Sequence, residues 1–297
     1  MPSHERPTSP AGTGRTGALR RLPFGVIIVG LLLALIAVSV MGVGLGAVRV
    51  DPARTLQVIG ERLSGGDPSG PDAFIVWELR VPRVLQAIIV GAALAVAGAC
   101  VQVLVLNPIA DPYVLGLSSG ASVGAVLVVT TVGVATAGGL LLPAAAFLGA
   151  AAAGAAVAAT ATSRRSLSAG CLVLSGVAIG QLLGGLVSFL LIRAGDSDAT
   201  QQVVFWLLGS LAGSQWRLVA VVAPVVTVAI ALSVVCASRL DLLSLGDAQA
   251  AASGLRPGRA RFVVFALTAL LTGAAVAVSG TIGFVGLIVL SCLTRVG

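Results

Sequence analysis

A chain of 297 residues, 57% of them hydrophobic and only 10% charged, with a mean hydropathy of +1.07, has too little polar surface to cover a water-soluble globule. Its formal charge of +7 comes from 18 basic residues, every one an Arg, lying in short connections between apolar runs. That placement assigns them to membrane topology and not to a nucleic-acid partner.

In chain order, residues 1–22 are rich in Pro, Ser, Thr, Gly and Arg and read as a disordered cytoplasmic tail, followed by one transmembrane domain over 23–297. The apolar run Pro23–Val48 is too long for a signal-peptide core and reads as a retained first span. A helix needs ~20 apolar residues to cross ~30 Å of hydrocarbon. By that measure spans are expected at Phe24–Val48, Val84–Leu106, Tyr113–Ala135, Gly139–Thr162, Cys171–Ile192, Leu218–Ala237 and Phe262–Thr281, then an incomplete piece over Gly283–Leu293. The fold class is therefore all-α, a polytopic transmembrane helix bundle of seven full spans and a partial eighth.

Between the spans, the connection Arg49–Val81 is polar and broken by Gly65-Gly66 and Pro68, with one surface helix expected near Ala53–Arg62. Phe205-Trp206 and Trp216 bracket a Gly/Ser-rich piece expected along the outer interface, where aromatic residues concentrate. Orientation follows from charge. The tail carries Arg6, Arg15, Arg20 and Arg21, and with the N-terminus cytoplasmic the connections holding Arg164-Arg165 and Arg239, Arg256, Arg259 and Arg261 are also inside. Five arginines of the first outer connection are offset by five acids, Asp51, Glu61, Asp67, Asp72 and Glu78. Gly and Ala crowd Ala144–Ala161 and the region of Gly180, Gly184 and Gly185, which reads as close helix packing within membrane lipid.

Covalent chemistry finds no equipment here. Without Lys there is no P-loop, so any ATP hydrolysis belongs to a partner. The single histidine, His4, lies in the tail, and no two acids share the spans, which excludes Ser/His and paired-aspartate intramembrane proteolysis. No acid falls near a span midpoint, the nearest being Asp111 in a connection, which demotes ion-coupled transport. Cys100, Cys171, Cys236 and Cys292 have no paired spacing and read as core residues; no cofactor and no metal are implied.

Three segments carry more information. Glu78-Leu-Arg80-Val-Pro82-Arg83 puts two arginines at the outer mouth of the second span, either as snorkelling anchors or as a docking site for acidic groups of an outside partner. Asn107-Pro108-Ile-Ala-Asp111-Pro112-Tyr-Val-Leu-Gly116-Leu-Ser-Ser-Gly120 reads as a structural turn between spans, in which Asn107 and Asp111 satisfy exposed backbone groups. Leu240–Leu255 is an amphipathic cytoplasmic stretch that its glycines break into two short helices, with enough apolar residues to imply a protein partner.

In this order and spacing, together with Trp206-Leu-Leu-Gly-Ser-Leu-Ala-Gly213 and Gly280-Thr-Ile-Gly-Phe-Val-Gly286-Leu-Ile, these segments resemble the FecCD family of permease subunits from binding-protein-dependent ABC importers for ferric siderophores, haem and cobalamin. The resemblance covers nearly all of the chain after Val26. It implies a dimer with a second permease subunit, two cytoplasmic ATPase subunits and an extracytoplasmic substrate-binding protein, in a multi-pass protein of the cell membrane. It implies binding-protein docking by Arg80 and Arg83, and coupling to the ATPase through the stretch holding Leu245, Gly246, Asp247 and Gly254. The family pattern of ten spans implies that the chain stops early at Leu290-Ser-Cys-Leu-Thr-Arg295-Val-Gly297; a shifted frame or premature stop is the expected cause, a natural short form the second. An ion-coupled secondary transporter and a transport-incompetent truncated remnant stand as alternatives.

Overall fold

The computed structural model describes residues 24–133, 139–163, 166–195 and 197–283. The tail with His4, the Arg164-Arg165 pair, Cys292 and the expected partial eighth span beyond Gly283 lie outside the described residues.

Each of the seven expected spans appears as a helix. They are α1 (Phe24–Gly44), α4 (Val81–Val105), α5 (Leu117–Val132), α6 (Leu141–Ala161), α7 (Ala169–Ala194), α9 (Trp216–Val235) and α12 (Pro257–Ser279). Among the described residues six helices are long and apolar enough to cross a membrane; α5, with 16 residues, is shorter. It begins at Leu117 and not at the expected Tyr113, because Pro112–Leu115 form a 3-10 turn closed by Gly116 in the left-handed region, φ 73°.

The surface helix is α2 (Pro52–Leu63), begun by Asp51, whose carboxylate accepts from the Ala53 amide, and by Pro52 at its first position. After it, α3 (Pro71–Phe74) passes through a π-helical turn, Ile75–Arg80, into α4 as one rod over Pro71–Val105. Pro82 has no amide to donate, and just before it the Val81 amide bonds the Val76 carbonyl five residues back, so the rod absorbs the proline with a widened turn. One helix was not anticipated, α8 (Ser197–Leu208), which contains Phe205 and Trp206. Two short helices follow α9, α10 (Ala237–Ser244) and α11 (Asp247–Ala252), as the glycine breaks implied. Apart from a two-residue antiparallel ladder, β1 (Thr162–Ser163) with β2 (Ser166–Leu167), regular structure among the described residues is helical.

The centre of the bundle is α12, most of whose apolar length is buried, packed against α4, α5, α6 and α9. Helices in lipid gain little from the hydrophobic effect, since acyl tails are as apolar as Leu, so association depends on close backbone approach. Here α5 and α6 meet through Gly120 and Gly124 against Ala145 and Gly149. A Cβ on Gly124 would fall well under 3.0 Å from the Ala145 carbonyl, whereas one on Gly184 would meet nothing within 4 Å. Cys100 and Cys236 are buried in the packing, and Cys171 is half-buried.

Candidate functional site

The sequence-derived segments fall at two opposite ends of the bundle. Gln86, early in α4, donates to the Val278 carbonyl at the end of α12 (2.8 Å), whereas Leu104, late in α4, shares a core cluster with Leu243 of α10 and Ala260 at the start of α12. Thus α4 and α12 run antiparallel, with the arginine segment at one end and α10–α11 at the other.

At the arginine end, Arg83 is exposed and donates to the Ala212 carbonyl at 3.2 Å. Arg80 departs from the expectation of an exposed docking cation. Its side chain is 7% exposed, and its guanidinium donates to the carbonyls of Val43 (2.9 Å), Gly44 (3.0 Å) and Val48. It therefore closes the end of α1, whose last carbonyls have no partner within the helix. The π-turn just before Arg80 and the absence of a side chain at Gly46, where a Cβ would lie 2.7 Å from the guanidinium, make room for it.

Sequence reasoning missed a tryptophan pair beside these arginines. Trp77 and Trp216 have ring centroids 4.9 Å apart, and the Trp216 indole donates to the Trp77 carbonyl at 2.9 Å, tying the rod to α9. The Arg62 guanidinium lies 5.9 Å from the Trp77 ring and pairs with Asp67 at 2.8 Å. Both tryptophans stand at span ends, a signal of headgroup depth, but 139 residues of separation hid their pairing.

The turn after α4 is satisfied as its sequence implied. The Asn107 side chain accepts from the Ile109 amide (3.1 Å) and that of Asp111 from the Tyr113 amide (2.9 Å). Its position is less expected. Gly116 packs on α7, where a Cβ would sit 2.8 Å from the Gly176 carbonyl and 3.2 Å from the Gly180 amide, and a Cβ on Gly176 would lie 2.8 Å from the Leu115 Cα. Those glycines stand about 10–17 Å along α7, at ~1.5 Å per residue, so the corner folds back into the bundle and does not stay at its end. Asp111 lies in the connection between α4 and α5, as expected, and that connection reaches into the bundle. With Tyr113, Ser119, Gln181 and Gly184, Asp111 lines a cleft of about 580 Å³. The Tyr113 hydroxyl also donates to the Ile282 carbonyl beyond α12 (2.7 Å). Replacing Asp111 with Ala is expected to destabilise the fold by about 1 kcal/mol, while Asn, which keeps the accepting oxygen, restores it; thermal unfolding in detergent measures both.

At the opposite end, Gly246 takes φ 94°, which a side chain tolerates poorly, and turns the chain from α10 into α11; Gly254 follows the second helix. Leu245 is exposed (58%), while Leu243 and Ala250 are fully buried and hold the two helices to the bundle. Asp247 opens α11 and meets Arg261 of α12 through both carboxylate oxygens, at 2.9 and 3.0 Å. Arg261, read in sequence only as a topogenic charge, is 1% exposed.

The model of the FecCD transport family matches residues 31–296. The chain is 40% identical over 215 residues to the cobalamin import system permease protein BtuC of Halobacterium salinarum, covering 72% of this chain but 57% of that protein. It is 34% identical over 275 residues to the Fe(3+)-citrate import system permease protein YfmE of Bacillus subtilis, covering 92% of this chain and 79% of that one. A solved inward-facing structure assigned to the metal-chelate type of ABC transporter superposes with a TM-score of 0.76 at 27% identity, over 92% of this chain and 81% of the other.

Proposed function

Since the chain belongs to the FecCD transport family, we propose that it is the membrane-spanning permease subunit of a binding-protein-dependent ABC importer for a metal chelate, of the ferric siderophore, iron-citrate or cobalamin kind. It works beside a second permease subunit, with two ATPase subunits on the cytoplasmic side and a substrate-binding protein outside. The observation that carries this reading is the division of the bundle: an exposed arginine beside paired tryptophans at one end, and two short helices parted by Gly246 with an exposed Leu245 at the other.

On this reading the N-terminus and α10–α11 are cytoplasmic. ATP binding closes the ATPase subunits, α10 and α11 move with them, and the spans exchange an outward for an inward opening; the cleft of Asp111, Tyr113 and Gln181 forms part of the path wall. The chain supplies no covalent step. A tagged chain expressed with its neighbouring genes is expected to bring down an ATPase subunit from detergent-solubilised membranes, and repeated isolation without one would refute the importer reading.

Docking of the binding protein is assigned to Arg83, exposed and, among the described residues, hydrogen-bonded to the Ala212 carbonyl. Arg83→Glu is expected to weaken that docking about tenfold at low salt and much less at 0.5 M salt, because exposed charges act through screened attraction. Surface-bound docking titrations at two ionic strengths measure this; equal affinity for both chains at low salt removes Arg83 from the interface.

A further inference from the structure

Resting on the importer reading, we infer that Arg261 is a positioning residue: its ion pair with Asp247 is the strut through which a displacement of α11 drives α12 and, through α12, the far end of the bundle.

Several observations converge on it. Arg261 is the largest fully buried side chain among the described residues and stands in the second turn of α12. One terminal nitrogen donates to an Asp247 oxygen at 3.0 Å and the other lies 2.9 Å from the second oxygen, an ion pair that holds α11 to α12. Asp247 is itself half exposed, 55% for its side chain, so the pair joins a buried rod to a surface helix. The Nε and one terminal nitrogen of Arg261 are buried without a hydrogen-bond partner among the described residues, so the ion pair with Asp247 is what offsets burial of the guanidinium. The short helix α11 lies between Gly246 and Gly254, both at positive φ, so it is a separate unit set off by a turn at each end and joined to α12 by the ion pair. Beyond α10, the packing partner of α11 is α12.

The rod then carries the displacement onward. At about 1.5 Å per residue, α12 extends about 34 Å. Its far end is fastened to the α8–α9 connection: the Ser210 amide donates to the Ser279 carbonyl (2.7 Å), the Thr281 hydroxyl donates to the Leu207 carbonyl, and a Cβ on Gly280 would lie 2.9 Å from the Gly209 Cα. A shift of α11 thus reaches Ser210, at the arginine end, through one buried helix with a salt bridge at its foot and hydrogen bonds at its head.

The test reads motion without needing the substrate. In a chain freed of its native cysteines, Ser210→Cys is labelled with a membrane-impermeant maleimide in the purified permease–ATPase complex, with and without ATP and vanadate. With Arg261 intact, trapping is expected to change the labelling rate at least threefold. In Arg261→Lys, which keeps the charge but shortens the side chain and leaves one donor group in place of the guanidinium, the complex still assembles and hydrolyses ATP within about twofold, but the change in labelling disappears. The reversal Asp247→Arg with Arg261→Asp restores most of it, and a monodisperse elution profile shows that each variant is folded. A full nucleotide response in Arg261→Lys, or a folded reversal variant that gives none, overturns the strut. Loss of the ATPase from Arg261→Lys also overturns it, assigning the residue to assembly. Failure of the unaltered chain to hold any ATPase overturns the importer reading itself, and the strut with it.

Discussion

Replacing Gly124 with Val should abolish the folded bundle. The new Cβ would fall well inside contact distance of the Ala145 backbone carbonyl, and neither α5 nor α6 can yield there, because Gly120 lies just as close to Gly149 one turn away. Relief requires the two helices to separate along their whole contact, exchanging close backbone packing for lipid. In a bundle held by such approaches the loss exceeds the ~1–3 kcal/mol of an ordinary overpacking substitution. Fluorescence-detected size exclusion after mild detergent extraction should show aggregate in place of the monodisperse peak. Gly184→Ala on α7, where a Cβ meets open space, serves as the control and should elute like the unaltered chain. A monodisperse Gly124→Val would show that α5 and α6 are not bound through this contact.

Arg80→Met should be nearly as damaging, and for a reason opposite to that expected of a docking residue. The guanidinium supplies donors to the last two carbonyls of α1 and to that of Val48 just beyond it, and hydrogen bonds to a charged group contribute about 1.5–3 kcal/mol each, though not additively. Methionine fills a similar volume but leaves those carbonyls without the cation, so a loss of about 3 kcal/mol is expected, with α1 released from the rod. Thermal unfolding in detergent should show a drop of several degrees that added salt does not alter, because the site is buried. Arg83→Glu should unfold at the unaltered temperature and lose only docking. If both variants keep their stability and lose docking alike, the two arginines share one exposed role and the burial of Arg80 has no consequence.

These two arginines show how far the sequence could be read. Glu78-Leu-Arg80-Val-Pro82-Arg83 announces an interfacial segment at the head of a span, since charge beside a long apolar run has nowhere else to lie. Nothing local says which of two cations three residues apart turns inward. That depends on carbonyls 32–37 residues earlier and on Gly46 leaving space for them. Likewise the glycines of Leu240–Leu255 foretold two short helices, because backbone breaks are a local property. The ion pair of Asp247 with Arg261 depends on how α11 returns onto α12, which no periodicity encodes.

The amino-acid sequence by itself determined the solvent of this protein, the approximate position of seven apolar helices and the corners that cap themselves through Asn107 and Asp111, because apolar length and side-chain-to-backbone bonding act over a few residues. Only the tertiary structure decided that the 107–116 corner folds back beside Gly176 and Gly180, that α8 is a helix, that Trp77 meets Trp216 and that Arg80 and Arg261 are buried. The reason is physical: in lipid the sequence fixes which helices form, but backbone-to-backbone approach between distant segments fixes which faces meet, and a charge is buried only where that approach provides its partner.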